Sequence, residues 1–316
     1  MKNHKKRAFG LLIQFLVMLT LMYFWVYNNI IRAFMITATT CLLIVIFEIR
    51  NYYYDKKRTL NMNIKFEIFL ISICLILTVA IVQTLPVFIL KPFGAKELKG
   101  ENVIVYYKSG DEKGAEKIYE SLEKVAGEIR EKLQFRNSNL TEVYMYSSQK
   151  SLWIRKYGLI TILGAPKWYI GDNKEDKILI ISPFENVEGH DYDSILGAAT
   201  HELVHTINYQ INPKLSYWND NGVATFLSQQ FPRREFAKYG SLPTLEDMKS
   251  ENEKRFGNIG GYEYSYTYID FLNNKYGWNK VLDLIGGKKT YNEIFSKSEQ
   301  DVYDEWIKFL KEKIYS

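Results

Sequence analysis

Three apolar stretches, residues 9–27, 30–47 and 68–90, constrain this 316-residue chain more than any other feature. Each is close to the ~20 residues a helix needs to cross a bilayer core. Only Arg32 interrupts them with a charge. Read alone, they predict a membrane domain over residues 1–90, with Asn28-Asn29 as a tight turn between the first two spans. Residues 1–90 hold ten of the 41 Lys and Arg and only three of the 36 Asp and Glu. The basic residues cluster at Lys2–Arg7 and Arg50–Lys65, which predicts both segments on the cytoplasmic side. Three spans then imply a multi-pass cell-membrane protein, with the lipid bilayer as a partner. Residues 91–101 would be a linker, and residues 102–316 an extracytoplasmic domain.

With the basic excess confined to the first third, residues 102–316 have no basic stripe, which argues against nucleic acid as a partner. Disorder is excluded by a composition 47% hydrophobic and 15% aromatic. Both cysteines, Cys41 and Cys74, lie in apolar runs, so the C-terminal two thirds has no thiol nucleophile. Along that segment, Val103–Tyr107, Glu142–Tyr146 and Lys177–Ser182 read as strands. Lys113–Leu133 reads as an amphipathic helix. A helix is predicted over about 194–209, capped by Asp193 and stopped by Pro213. Another begins near Asp220 and reaches Phe231-Pro232, and the tail from Glu263 is mostly helical. Strands first and helices later predict an α+β domain, a small sheet with a mostly helical C-terminal part.

Chemistry concentrates at His201-Glu202-Leu203-Val204-His205. On a helix, positions i and i+4 share one face, so two imidazoles there can hold one zinc ion. Glu202 then stands where a general base for water is needed. A zinc hydrolase wants a third protein ligand. Downstream stands Trp218-Asn219-Asp220-Asn221-Gly222-Val223-Ala224. Charge favours Asp220 as that ligand, since a carboxylate offsets part of the ion's charge and an amide does not. Asn221 is the alternative, with Glu246 and His190 as more distant ones.

Together these segments resemble the gluzincin zinc metallopeptidases, in the aminopeptidase-like group. There His-Glu-x-x-His is followed by Trp-x-x-Glu-Gly-x-Ala. The resemblance implies a zincin-like fold with Zn²⁺ as cofactor and a third ligand at the position held here by Asn221. In the family, the Gly and Ala of that segment let its helix pack close to the zinc helix. The likeness also implies an edge strand for substrate near Lys177–Pro183. A tyrosine that stabilises the oxyanion is implied as well, for which Tyr262 fits best and Tyr264 next. It therefore points to peptide or protein as substrate and to peptide-bond hydrolysis, with Glu202 and Tyr262 catalytic. The departure at Asn221 keeps open an alternative, a non-catalytic binding or sensor module on a degenerate peptidase fold. Oligomeric state is not readable.

Overall fold

The computed structural model describes residues 83–137, 139–230 and 241–315. Among them, no helix is long and apolar enough to cross a membrane. The expected stretches 9–27 and 30–47 lie outside the described residues. Of 68–90, the described part is helical only over 83–88. This described part contains Gln83, Thr84 and Pro86. The membrane anchor, the multi-pass localisation and the extracytoplasmic placement are therefore corrected: the described residues contain no spanning helix.

Two compact units divide the described chain. Residues 83–93 belong with Trp153–Ala165, and Gly94–Leu152 with Pro166–Ser316. In the smaller unit Gln83 Nε2 donates to the Tyr157 carbonyl at 3.0 Å. The larger unit carries all the candidate chemistry.

Its sheet has five strands: β1 (Lys96–Lys99), β2 (Val103–Tyr107), β3 (Thr141–Tyr146), β4 (Gly171–Lys174) and β5 (Lys177–Ile181). Their spatial order is β1-β2-β3-β5-β4. β2, β3 and β5 run parallel, while β1 and β4 are antiparallel to their neighbours. Within the three parallel strands, Val103–Tyr107, Val143–Tyr146 and Ile178–Ile181 are continuous buried runs of β-branched, aliphatic and aromatic residues, as strands covered on both faces require. Every residue of β2 is buried. The linker expected over 91–101 thus contains a strand, and Lys177–Ile181 is an inner strand. The edge strand beside it is β4, whose Gly-Asp-Asn-Lys sequence shows no apolar alternation.

Helix α1 (Glu112–Lys132) covers the sheet with Ile118, Leu122, Ala126 and Ile129. It is tied to the strand starts by charge. Glu123 accepts the backbone N–H groups of Glu101, Asn102 and Val103, and Arg130 donates to Asn102, Asn139 and Thr141. After α2 (Gln149–Tyr157) comes α3 (Tyr192–Ile211), the long central helix. Its cap is Asp191, not Asp193. Asp191 accepts from the Ser194 N–H, and Ser194 Oγ reciprocates by accepting the Asp191 N–H. Helix α4 (Tyr217–Leu227) starts three residues before the expected Asp220, because Ser216 caps it by accepting the Asn219 N–H.

The remaining helices are α5 (Leu245–Met248), α6 (Glu253–Asn258), α7 (Gly261–Tyr276), α8 (Trp278–Gly286), α9 (Tyr291–Phe295) and α10 (Glu299–Tyr315). Their centre is Trp306, fully buried, with the rings of Trp218, Tyr264, Tyr268 and Tyr303 at 5.4–6.4 Å. Its indole N–H donates to Thr267 Oγ1 at 3.2 Å, so the ring is buried without an orphaned donor.

Candidate functional site

The sequence around His201 is apolar on nearly every side, so this part of α3 sinks into the core between the sheet and α4. Ile195, Ala199, Leu203, Val204 and Ile207 are fully buried. That burial carries His201, Glu202 and His205 with it, at 6, 9 and 7% exposure. One helical turn apart, the two rings meet edge to face, and their Nε2 atoms stand 2.9 Å apart. Without a cation, one nitrogen must donate and the other accept. Two nitrogens bound tetrahedrally to one zinc at ~2.0–2.1 Å lie ~3.3 Å apart, so the pair needs to open by only a few tenths of an ångström.

Asp220 does not join that edge. Its Oδ2 pairs with the opposite ring atom, His205 Nδ1, at 2.7 Å, and its Oδ1 accepts from Asn208 Nδ2 at 2.8 Å. Among the described residues, no three or more His, Cys, Asp and Glu side chains are grouped so as to hold a metal. The expected three-ligand set completed by Asp220 is therefore corrected. The Asp220 carboxylate stands on the outer nitrogen of His205. Asn221, 3% exposed, anchors its Nδ2 on the Tyr217 carbonyl at 2.9 Å. Neither alternative ligand is at the site. Glu246 lies on α5, exposed, and His190 Nε2 contacts the Trp168 carbonyl at 2.8 Å.

Electrostatics divides the pair. Burial disfavours charge on both rings. On His205 the adjacent Asp220 outweighs it and pushes the pKa up to about 9. On His201 burial, joined by the charge on His205, pushes it well below the ordinary value.

Glu202 faces the edge strand. A Cβ built on Gly171 would lie 3.4 Å from Glu202 Cγ and 3.5 Å from Oε1, so β4 passes directly over the carboxylate. The neighbouring Asp172 accepts a short hydrogen bond from the Tyr169 hydroxyl.

The structure separates the two candidate tyrosines. Tyr264 is 2% exposed and packs on Trp306. Tyr262 lies beside the site, its ring centroid 6.1 Å from that of His201. Of Tyr262, 38% is exposed and the rest is covered. Burial, then the charge of Glu202, push its pKa up. Phe256 sets its position, with its ring edge-on to both Tyr217 and Tyr262 at 4.9 Å. Gly261 admits that ring, since a Cβ there would meet it at 2.4 Å.

Gly222 was expected to let α4 approach α3. It faces α7 instead, where a Cβ would stand 2.7 Å from the Ser265 carbonyl oxygen. Sequence reasoning missed Asp172, Asn208 and Tyr217. Asn208 follows the His-Glu-x-x-His run by three residues and Tyr217 precedes Trp218, while Asp172 stood near no recognisable motif. The chain matches no known family model and no curated protein.

Proposed function

We propose that the chain is a zinc-dependent metallopeptidase that hydrolyses peptide bonds. The observation that carries this reading is the buried His201–His205 pair, Nε2 to Nε2 at 2.9 Å, with Glu202 between them in sequence and under an edge strand. His201 and His205 would hold the ion. A zinc ion so held supplies Lewis-acid polarisation of a carbonyl and a water that ionises near pH 7.

The chain's own groups do the rest. Glu202 accepts the proton of the attacking water and returns it to the departing amine. Tyr262 keeps its proton, since its pKa is raised, and so can donate a hydrogen bond to the oxyanion. β4 ends the sheet on this side, so an extended peptide can add to it as a further strand, read through its main chain and independent of any one side chain.

The test is hydrolysis of a mixed peptide library by the zinc-loaded chain and by Glu202→Gln. Loss of a positioned general base costs ~10²–10⁴-fold in rate. Equal rates for the two would sink the reading. A second reading, a binding module without catalysis, is favoured because among the described residues no third acid or histidine is grouped with the pair so as to hold a metal. Tight peptide binding with no turnover by either protein would select it.

A further inference from the structure

We propose that Trp168 is a binding site for a large apolar side chain of an extended peptide, beside β4 and within about three residues of the bond presented to Glu202. The inference rests on the peptidase reading above and adds a substrate class to it: peptides with an aromatic or large aliphatic residue near the point of cleavage.

A single exposed aromatic ring is ordinary on a protein surface. Trp168 differs in how it is held. It is 57% exposed, while Trp153, Trp218, Trp278 and Trp306 are buried or half-buried. It sits in the turn before β4, where successive backbone carbonyls are each taken by a side chain from another part of the chain. Gln149 Nε2, at the start of α2, donates to the Lys167 carbonyl at 2.6 Å and to the Tyr169 carbonyl at 2.9 Å. His190 Nε2 donates to the Trp168 carbonyl between them at 2.8 Å, since a carbonyl only accepts. The next side chain, Tyr169, is buried, and its hydroxyl bonds Asp172 of β4. The Trp168 ring stands edge-on to the Tyr169 ring, with centroids 6.0 Å apart. The backbone under Trp168 is thus fixed from α2, from the loop before α3 and from β4, while the indole faces water. Such a turn is preorganised, so the entropic cost of ordering it falls on folding and not on binding.

The occupant follows from the position. Gly171 opens β4 and lies over Glu202, with a built Cβ 3.4 Å from Cγ. Trp168 stands three residues earlier in the chain, which spans at most ~11 Å. A peptide added to β4 advances ~3.3 Å per residue. The peptide residue that meets Trp168 is therefore within about three positions of the one over Glu202. Main-chain pairing with β4 reads no side chain, whereas an indole offers a broad apolar face that selects one.

The experiment uses short Gly/Ser peptides carrying one Phe, moved through every position, with the all-polar parent as control. Hydrolysis is measured with the full zinc-loaded chain. Binding of the same peptides, fluorescently labelled, is measured with zinc-loaded Glu202→Gln. The wild type should cleave within about three residues of the Phe and prefer the best Phe peptide over the parent about tenfold or more in kcat/KM. Glu202→Gln should show the same preference in Kd. Trp168→Ala, introduced in either background, should bring both ratios close to one, and Trp168→Phe should keep most of the preference. Gln149→Ala, which releases the Lys167 and Tyr169 carbonyls, should lower it in part. An undiminished preference in Gln149→Ala would overturn the preorganised turn on which the site rests. A preference that survives Trp168→Ala, or cleavage unrelated to the Phe position, would overturn the site and leave the peptidase reading standing. Trp168-dependent binding by a chain that hydrolyses nothing would overturn the peptidase reading and keep the site. A chain that neither binds nor hydrolyses these peptides would overturn both.

Discussion

Replacing Gly222 by alanine separates close packing from helix propensity, because the two predict opposite signs. Inside a helix, Gly→Ala ordinarily stabilises by ~0.8–1 kcal/mol. At Gly222 the added Cβ would stand 2.7 Å from the Ser265 carbonyl oxygen, 3.1 Å from its carbon and 2.9 Å from Ile269 Cγ1. Two of these three atoms are backbone of α7, so α4 and α7 must move apart. Overpacking of this kind costs ~1–3 kcal/mol, which exceeds the propensity gain.

The matched control is Gly127 on α1, where an added Cβ meets nothing within 4 Å. Gly127→Ala should stabilise by the propensity gain alone. For a domain of this size, 1 kcal/mol moves Tm by ~2–4 °C. Thermal unfolding in excess chelator, so that bound metal adds nothing, should show Gly222→Ala lower by up to about 8 °C and Gly127→Ala higher by about 2–4 °C. If Gly222→Ala rises as Gly127→Ala does, the close approach of α4 to α7 is wrong.

Two further outcomes test the helical half. Partial burial opposes the charge on Glu305, but Lys297, Tyr276 and Lys275 outweigh it and hold its pKa at about 2. A depressed carboxylate stabilises the fold above its unfolded pKa, near 4.5, and that contribution is lost as pH falls toward 2. Glu305→Gln should therefore flatten the fall in urea midpoint between pH 5 and pH 3 (a window of about two units below the unfolded value), and an unchanged slope would refute the pairing. Trp306→Ala removes the fully buried hub of the aromatic cluster and should cost ~3–5 kcal/mol in urea unfolding. A loss below ~1 kcal/mol would mean that the cluster does not support the C-terminal helices.

What the sequence disclosed depended on whether a segment is read by its own pattern or by its neighbours. Val103–Tyr107 and the Ile178–Ile181 run are apolar enough to announce buried strands. Lys96–Lys99 and Gly171–Lys174 are polar and short, and they are strands only because β2 and β5 offer edges to pair with. The spacing of His201 and His205 brought their rings together as expected, since i and i+4 on one helix leave little else possible. The third position was not legible, because it depends on where α4 begins. Ser216 moved that start to Tyr217, which puts Asp220 and Asn221 inside the helix instead of at its first residues. Small residues at 222 and 224 signalled a close helix contact but not which helix makes it. The Gly222 contact is with α7. Tyr262 and Tyr264 lie on the same helix start, and only the tertiary fold puts one at the site and the other in the core.

The polar contacts of the site close over short stretches of chain. Asn208 and Asp220 are 12 residues apart and sit on consecutive helices. In the sheet, by contrast, Val143 pairs with Ile178 across an intervening excursion of about three times that length. Each doubling of a loop costs ~0.6 kcal/mol of closure entropy, so joining α3 to α4 is cheaper than joining β3 to β5 by ~1 kcal/mol. The pairing of Asp220 with His205 is thus assembled within one helical hairpin, at a lower entropic cost than the sheet that supports it.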